Sequence, residues 1–190
     1  MTTFSPPPSG AGLLHFGEIA YTPSVQQAQA EHGGQVCRPE DSPTRLSLTE
    51  MERRFIAERD SFYLATVGEQ GWPYVQHKGG PPGFLQAIGP QDLLLADYEG
   101  NRQYVSLGNL AANPRLSMIL VDYPNRRRLK LMASLDQVLK AVDAPADLLA
   151  RLPQDSRSPV ARLLCLRLHA FDWNCPQHIT PRFTQPLTSF

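Results

Sequence analysis

The stretch "SFYLATVGEQGWPYVQHK", Ser61–Lys78, decides the fold. Two runs of strand-forming residues, "SFYLATV" and "PYVQHK", flank "GEQGW", and this predicts a β-hairpin with a glycine-containing loop. The pattern then recurs twice. "FLQAI" and "LLLADY" flank "GPQD", and "RLSMILVDY" and "RRLKLMASLDQV" flank "PN". "ARLLCLRLHAFDW" reads as a last strand, and a short helix is expected near "PADLLARL". Between the second and third hairpins, "GNRQYVSLGNLAANP" reads as a short helix with Asn101 as its cap and Asn113-Pro114 as its stop. About six or seven strands joined mostly by short turns predict a mainly β protein, an antiparallel sheet closed into a barrel with peripheral helices. Closure would also remove exposed strand edges.

Upstream of Ser61 the chain is helical in pattern. In "SLTEMERRFIAERD", Ser47 and Glu50 have capping-box spacing, and Leu48, Met51, Phe55 and Ile56 form one apolar stripe, so a helix is expected to about Arg59. "TPSVQQAQAEHGG" predicts a second helix, with Thr22 as cap, Pro23 in the first turn and Gly33 at its end. "MTTFSPPPSGAG" reads as a loose tail. The expected organisation is an extension over residues 1–46 with a short helix, followed by a barrel domain over residues 47–190.

Composition narrows the function. The 190 residues are 42% hydrophobic and 19% charged, enough to bury a sizeable core. The 18 basic residues balance the 18 acidic ones, so no partner such as nucleic acid or an anionic membrane surface is expected. No apolar run approaches the ~20 residues that span a bilayer, and no basic-then-apolar signal opens the chain. Cys37, Cys165 and Cys175 are odd in number and scattered, which fits no disulfide framework. A cytoplasmic protein is the expectation.

Several stretches carry candidate chemistry. In "ADYEGNRQY", Asn101, Arg102 and Gln103 at a helix start gather backbone N–H groups and a guanidinium, which suits a phosphate. The plainer alternative is a capped helix with a surface arginine. In "YVQHKGGPPG", alternation turns Gln76 and Lys78 to one side and His77 to the other, and the following Gly-Gly lets a ligand approach the backbone. His77 has no carboxylate spaced to orient it, so a solvated histidine is the competing reading. In "DYPNRRRLKL", Arg126, Arg128 and Lys130 share one face and Arg127 the other. An exposed strand start, or a cleft arginine meeting an anion, are the alternatives there. "DWNCPQHITPRF", Asp172–Phe183, sets Cys175 three residues before His178. Two ligands fall short of the four of structural zinc, and Cys165 and His169 lie well up the preceding strand, so no metal is expected. Dinucleotide-binding, P-loop, nucleophile-elbow and zincin motifs are absent.

Taken in order, "YVQHKGGPPGFL", "ADYEGNRQYVSLGNLAANPR", "VDYPNRRRLKL" and "FDWNCPQHITPR" resemble the pyridoxamine 5'-phosphate oxidase-like family of FMN-binding split barrels, in a branch only related to the oxidases proper. The resemblance implies a homodimer with FMN in clefts at the subunit interface and a small-molecule substrate. Asn101-Arg102-Gln103 falls where the family has a Ser-Arg-Lys contact to the flavin phosphate, and Lys78 on the lysine that ends the flavin-side strand, beside Gln76 and His77. Arg127 and Arg128 fall on an Arg-Gln pair, and Trp173 and Arg182 on a Trp and an Arg that reach the partner's flavin. Pro73 stands where the oxidases carry an arginine. "HITPRF" lacks their Arg-Leu-His element, and no Tyr, Arg and Ser substrate-phosphate cluster is found. The expected function is an FMN-dependent oxidoreductase that is not a pyridoxamine phosphate oxidase, with no catalytic acid or base assigned. The alternative is a module that binds or stores flavin, deazaflavin or haem without turnover.

Overall fold

A computed structural model describes residues 13–41, 47–153 and 159–184; the expected tail over residues 1–12 lies outside them. Among the described residues five α-helices and seven strands follow one another as α1 (Phe16–Ala20), α2 (Pro23–Glu31), α3 (Glu50–Ala57), β1 (Ser61–Val67), β2 (Pro73–Gly79), β3 (Leu85–Ala87), β4 (Asp92–Tyr98), α4 (Val105–Ala112), β5 (Arg115–Asp122), β6 (Arg127–Lys140), α5 (Ala146–Leu149) and β7 (Val160–Trp173), with short 3-10 turns at Pro39–Asp41 and Ala141–Asp143. All strand pairs are antiparallel, in the order β2-β1-β5-β6-β7-β4-β3.

The three predicted hairpins are present, and each local sequence explains its strand. In β1, buried Phe62, Leu64 and Thr66 alternate with more exposed neighbours, as a strand with one face on a core requires. In β4, Leu93, Leu94 and Leu95 are all fully buried, so both faces are covered, which is what an uninterrupted apolar run encodes. β6 and β7 each run for 14 residues and bend at two register shifts, between Met132 and Ala133 and between Leu135 and Gln137.

The barrel is split, as the resemblance implies: the hydrogen-bonded ladder ends at β2 on one side and β3 on the other, so the sheet does not close edge to edge as the strand pattern alone suggests. β2 leaves the sheet through Gly79-Gly80, and β3 has three residues, all paired with β4. The barrel is therefore split at this seam.

Helix boundaries also shift from the sequence reading. The capping box that forms uses Thr49 and Glu52, two residues after the expected Ser47 and Glu50. The Thr49 backbone N–H donates to Glu52 Oε2 at 2.9 Å. α3 ends at Ala57, with Glu58 as its C-cap. Leu48, Phe55 and Ile56 are buried as expected, but Met51 is 52% exposed, because the helix docks on β3 with the Phe55 face. Arg53 fixes that docking by donating to the carbonyls of Gly89 at 3.0 Å and Ala87 at 3.4 Å. α2 starts at Pro23 after Thr22, and Gly33 beyond it has φ +69°. The segment before it joins the barrel, since Leu13 belongs to the core and the Leu14 N–H donates to the His169 carbonyl at 2.8 Å.

Candidate functional site

The seam holds a polar cluster made of residues from three strands. Lys78 stands near the end of β2, Asp97 near the end of β4 and Arg162 near the start of β7. Asp97 and Arg162 face each other across the β4–β7 ladder, next to a bulge at Tyr98. The Asp97 carboxylate is buried, and each of its oxygens accepts from a cation. Lys78 Nζ donates to Oδ1 at 2.7 Å, while Arg162 Nε and Nη2 both reach Oδ2 at 2.9 Å. Burial works against the charge of Arg162, but the hydrogen bond and the field of Asp97 outweigh it and hold the guanidinium above its ordinary value. The guanidinium carbon also lies 5.0 Å from the Tyr104 ring centre.

The loop into α4 forms the opposite wall. Asn101 does not cap the helix as expected. α4 begins four residues later, after Tyr104, which together with Arg102 adopts left-handed backbone, at φ 54° and 61°. These two residues fold the loop back over the seam. Asn101 Oδ1 accepts from the Gln103 N–H at 3.2 Å, bracing the turn from within. Ser106 in the first turn of α4 donates to Gln76 Oε1 at 2.7 Å, tying the helix to β2. Between the walls lies a hollow of about 80 Å3 that takes in Lys78, Asp97, Arg102, Tyr104 and Arg162.

At Gly80 the neighbouring rings leave no room for a side chain. A Cβ there would lie 2.7 Å from the Tyr98 ring and 2.8 Å from the Phe84 ring, so these side chains require the glycine. Phe84 in turn stacks on Phe62 at 5.3 Å, sealing the floor beneath the seam.

The structure thus brings Gln76, Lys78, Asn101, Arg102 and Gln103 to one hollow. The remaining candidates lie elsewhere on the chain. His77 points to the outer face of β2, edge-on to Tyr63 at 5.6 Å. Arg127 lies over the Trp173 ring at 4.6 Å and over Phe55 at 5.3 Å. Trp173 donates its indole N–H to Glu52 Oε1 at 2.7 Å and meets Phe55 edge-on at 4.7 Å. Arg182 rests over Tyr123 at 4.8 Å. Arg128 is half-buried, and its Nε is buried without a hydrogen-bond partner. Cys175 is exposed, whereas burial, then Asp136 and Asp92, push the Cys165 thiol up. Among the described residues no three His, Cys, Asp or Glu side chains gather as metal ligands would.

Sequence reasoning missed Asp97, Tyr104 and Arg162. The available signal was slight: a carboxylate closing an apolar strand in "LLLADY", and an arginine opening another in "ARLLC". Pairing of β4 with β7 is what turns these two ends into one site.

Comparison with known proteins agrees with this architecture. The model of the family described as "Pyridoxamine 5'-phosphate oxidase" matches residues 48–172, more than half of the chain. The chain belongs to that family. An FMN-binding protein of Syntrophomonas wolfei shares the split-barrel fold at a TM-score of 0.51 and 15% identity, over 65% of this chain and 84% of that one. An F420 reductase aligns at a TM-score of 0.42 and 21% identity, over 62% and 93% of the two chains. HupZ of Group A Streptococcus aligns at 0.49 and 11% identity, over 72% and 100%. No curated protein matches the sequence. The family match starts at residue 48, so it leaves out α1 and α2. None of the described helices is long and apolar enough to cross a membrane.

Proposed function

We propose that this chain is an FMN-binding oxidoreductase acting on a small molecule, and that it works as a homodimer in the cytoplasm. The observation that carries the reading is the hollow at the seam, where three cationic side chains, Lys78, Arg102 and Arg162, face a single carboxylate. Family membership and the FMN-binding protein of the same fold support the choice of FMN as the anion. In this reading Arg102 and Lys78 hold the phosphate by charge, while Asn101, Gln103 and Gln76 orient it by hydrogen bonds. Bound flavin would supply the hydride or electron chemistry, and the chain's own groups supply binding, orientation and electrostatics.

The hollow of about 80 Å3 suits a phosphate but not a whole flavin, since pockets for such ligands run to roughly 300–1,000 Å3. The rest of the cofactor needs another wall, and a second copy of the chain is the simplest source. Val67, Trp72 and Val75 are exposed apolar side chains around the β1–β2 hairpin, as a face that meets another protein would be. His77, Arg128 and Arg182, outside the hollow of their own chain, are the proposed contribution of the partner copy, whereas Arg127 and Trp173 pack with Phe55 and Glu52. The measurement is a visible spectrum of the purified protein and titration with FMN, alongside mass determination in solution. Flavin absorption bands or saturable uptake, with a dimer mass, are expected. A colourless protein that takes up no FMN overturns the reading.

A second reading is a module that binds or stores flavin, deazaflavin or haem without turnover. The observation favouring it is that Asp97, the one carboxylate in the hollow, is tied by both oxygens to cations, leaving no evident acid or base there. Catalytic reduction and reoxidation of the bound flavin by a donor and an acceptor would exclude it.

A further inference from the structure

We infer that Arg162 is a phosphate-recognising residue and that it makes the site selective for a phosphorylated flavin over its dephosphorylated form. This deepens the FMN reading and rests on it. Two cations share Asp97, where one would suffice to neutralise a buried carboxylate. Lys78 and Arg162 together leave one positive charge in excess beside the hollow, and Arg102 adds a second. That surplus of two matches the dianion of a phosphate monoester near neutral pH.

Arg162 is also built to receive such a group. Its Nε–Nη2 edge is fixed on Asp97, and the ring of Tyr104 lies near its face. The freedom that a long side chain would lose on binding is thereby removed beforehand. Arg162 lines both the hollow at the seam and a neighbouring one, of about 160 Å3, that also takes in Arg102, Tyr104 and the exposed Glu99.

The experiment compares FMN with riboflavin, which lacks the phosphate, by fluorescence titration of the wild type, Arg162→Ala and Arg162→Lys, with apo-protein melting temperature measured in parallel. The wild type is expected to prefer FMN. Arg162→Ala is expected to lose roughly 10- to 100-fold in FMN affinity, the size of one or two hydrogen bonds to a charged group, with riboflavin affinity unchanged. Arg162→Lys should retain part of the preference, because it keeps the charge and loses the fork. Equal losses for both ligands would make Arg162 a brace of the seam and overturn the inference, as would no loss for either. Should Arg162→Ala fail to fold, the FMN-to-riboflavin ratio of Arg162→Lys decides: an unchanged ratio overturns the inference and a lowered one supports it. A wild type that binds neither flavin defeats the FMN reading by itself. Inorganic phosphate then decides about Arg162, through a rise in wild-type melting temperature that the Arg162 variants lack; no rise in the wild type overturns the inference.

Discussion

Two buried carboxylates invite comparison, Asp97 at the seam and Glu52 under the C-terminal end of β7. Glu52 is satisfied by neutral donors: the Thr49 backbone N–H and hydroxyl on one oxygen and the Trp173 indole N–H on the other. Around it Phe55, Trp173, Arg59 and Arg127 stack ring on cation, closing α3 onto the sheet. Asp97 is satisfied by cations instead, and open volume lies beside it. A carboxylate held by neutral donors leaves no net positive charge behind. One held by two cations leaves a surplus that an anion can answer. The first arrangement closes α3 onto the sheet, and the second is the one proposed for binding.

That contrast can be broken from either side. The largest expected effect is at the closed cluster. Phe55→Ala removes the ring that Trp173, Arg59 and Arg127 all contact and should cost about 3–5 kcal/mol of stability, read by urea unfolding. FMN affinity of the folded fraction should stay near that of the wild type; a selective loss of affinity would join the two regions into one site. Next is Gly80→Ala at the seam, where the added methyl meets Tyr98 and Phe84. Overpacking of this kind costs about 1–3 kcal/mol, visible as a lower melting temperature.

Glu52 makes a smaller, pH-dependent contribution. Burial would raise its carboxyl, but hydrogen bonds from Thr49 and Trp173 outweigh that and hold it below the usual 4.5. The unfolded chain then binds more protons than the folded one in this range, so stability from Glu52 is complete above about pH 4.5 and lost as pH falls through the depressed value. Glu52→Gln should therefore be less stable than the wild type at pH 7, and the gap between the two should narrow in unfolding curves recorded from pH 4.5 downward. A gap that stays constant would mean that Glu52 acts by shape and not by charge.

The smallest effect on folding is expected at Arg102, an exposed side chain. Arg102→Ala should change stability by no more than about 0.5 kcal/mol. Its FMN affinity should nevertheless fall by roughly tenfold or more, the worth of a charged hydrogen bond. A destabilised Arg102→Ala with normal affinity would assign the left-handed loop to folding and reverse the contrast.

Much of the fold was legible because β-hairpins are local. The alternation in "SFYLATV", the glycine-bearing turn after it and the unbroken apolar run "LLLA" each fall within one short segment, so neighbouring residues suffice to predict them. Cap positions were less legible. Ser47-Glu50 and Thr49-Glu52 offer the same spacing, and the second prevails where Glu52 can also accept from Trp173. Asn101 looked like a cap by residue type, yet it braces a loop that places Tyr104 before the helix.

By itself, then, the sequence determined the antiparallel strands, their hairpins and the polar string Asn101-Arg102-Gln103 on the loop before α4. Tertiary structure alone decided what that string would meet. Lys78 and Arg162 reach Asp97 across 19 and 65 positions of chain, and Trp173 reaches Glu52 across 121. Such separations carry no periodic signal. They become contacts only when the register of β4 against β7 sets Asp97 opposite Arg162, and when the sheet curls far enough to bring its free edge at β2 beside them.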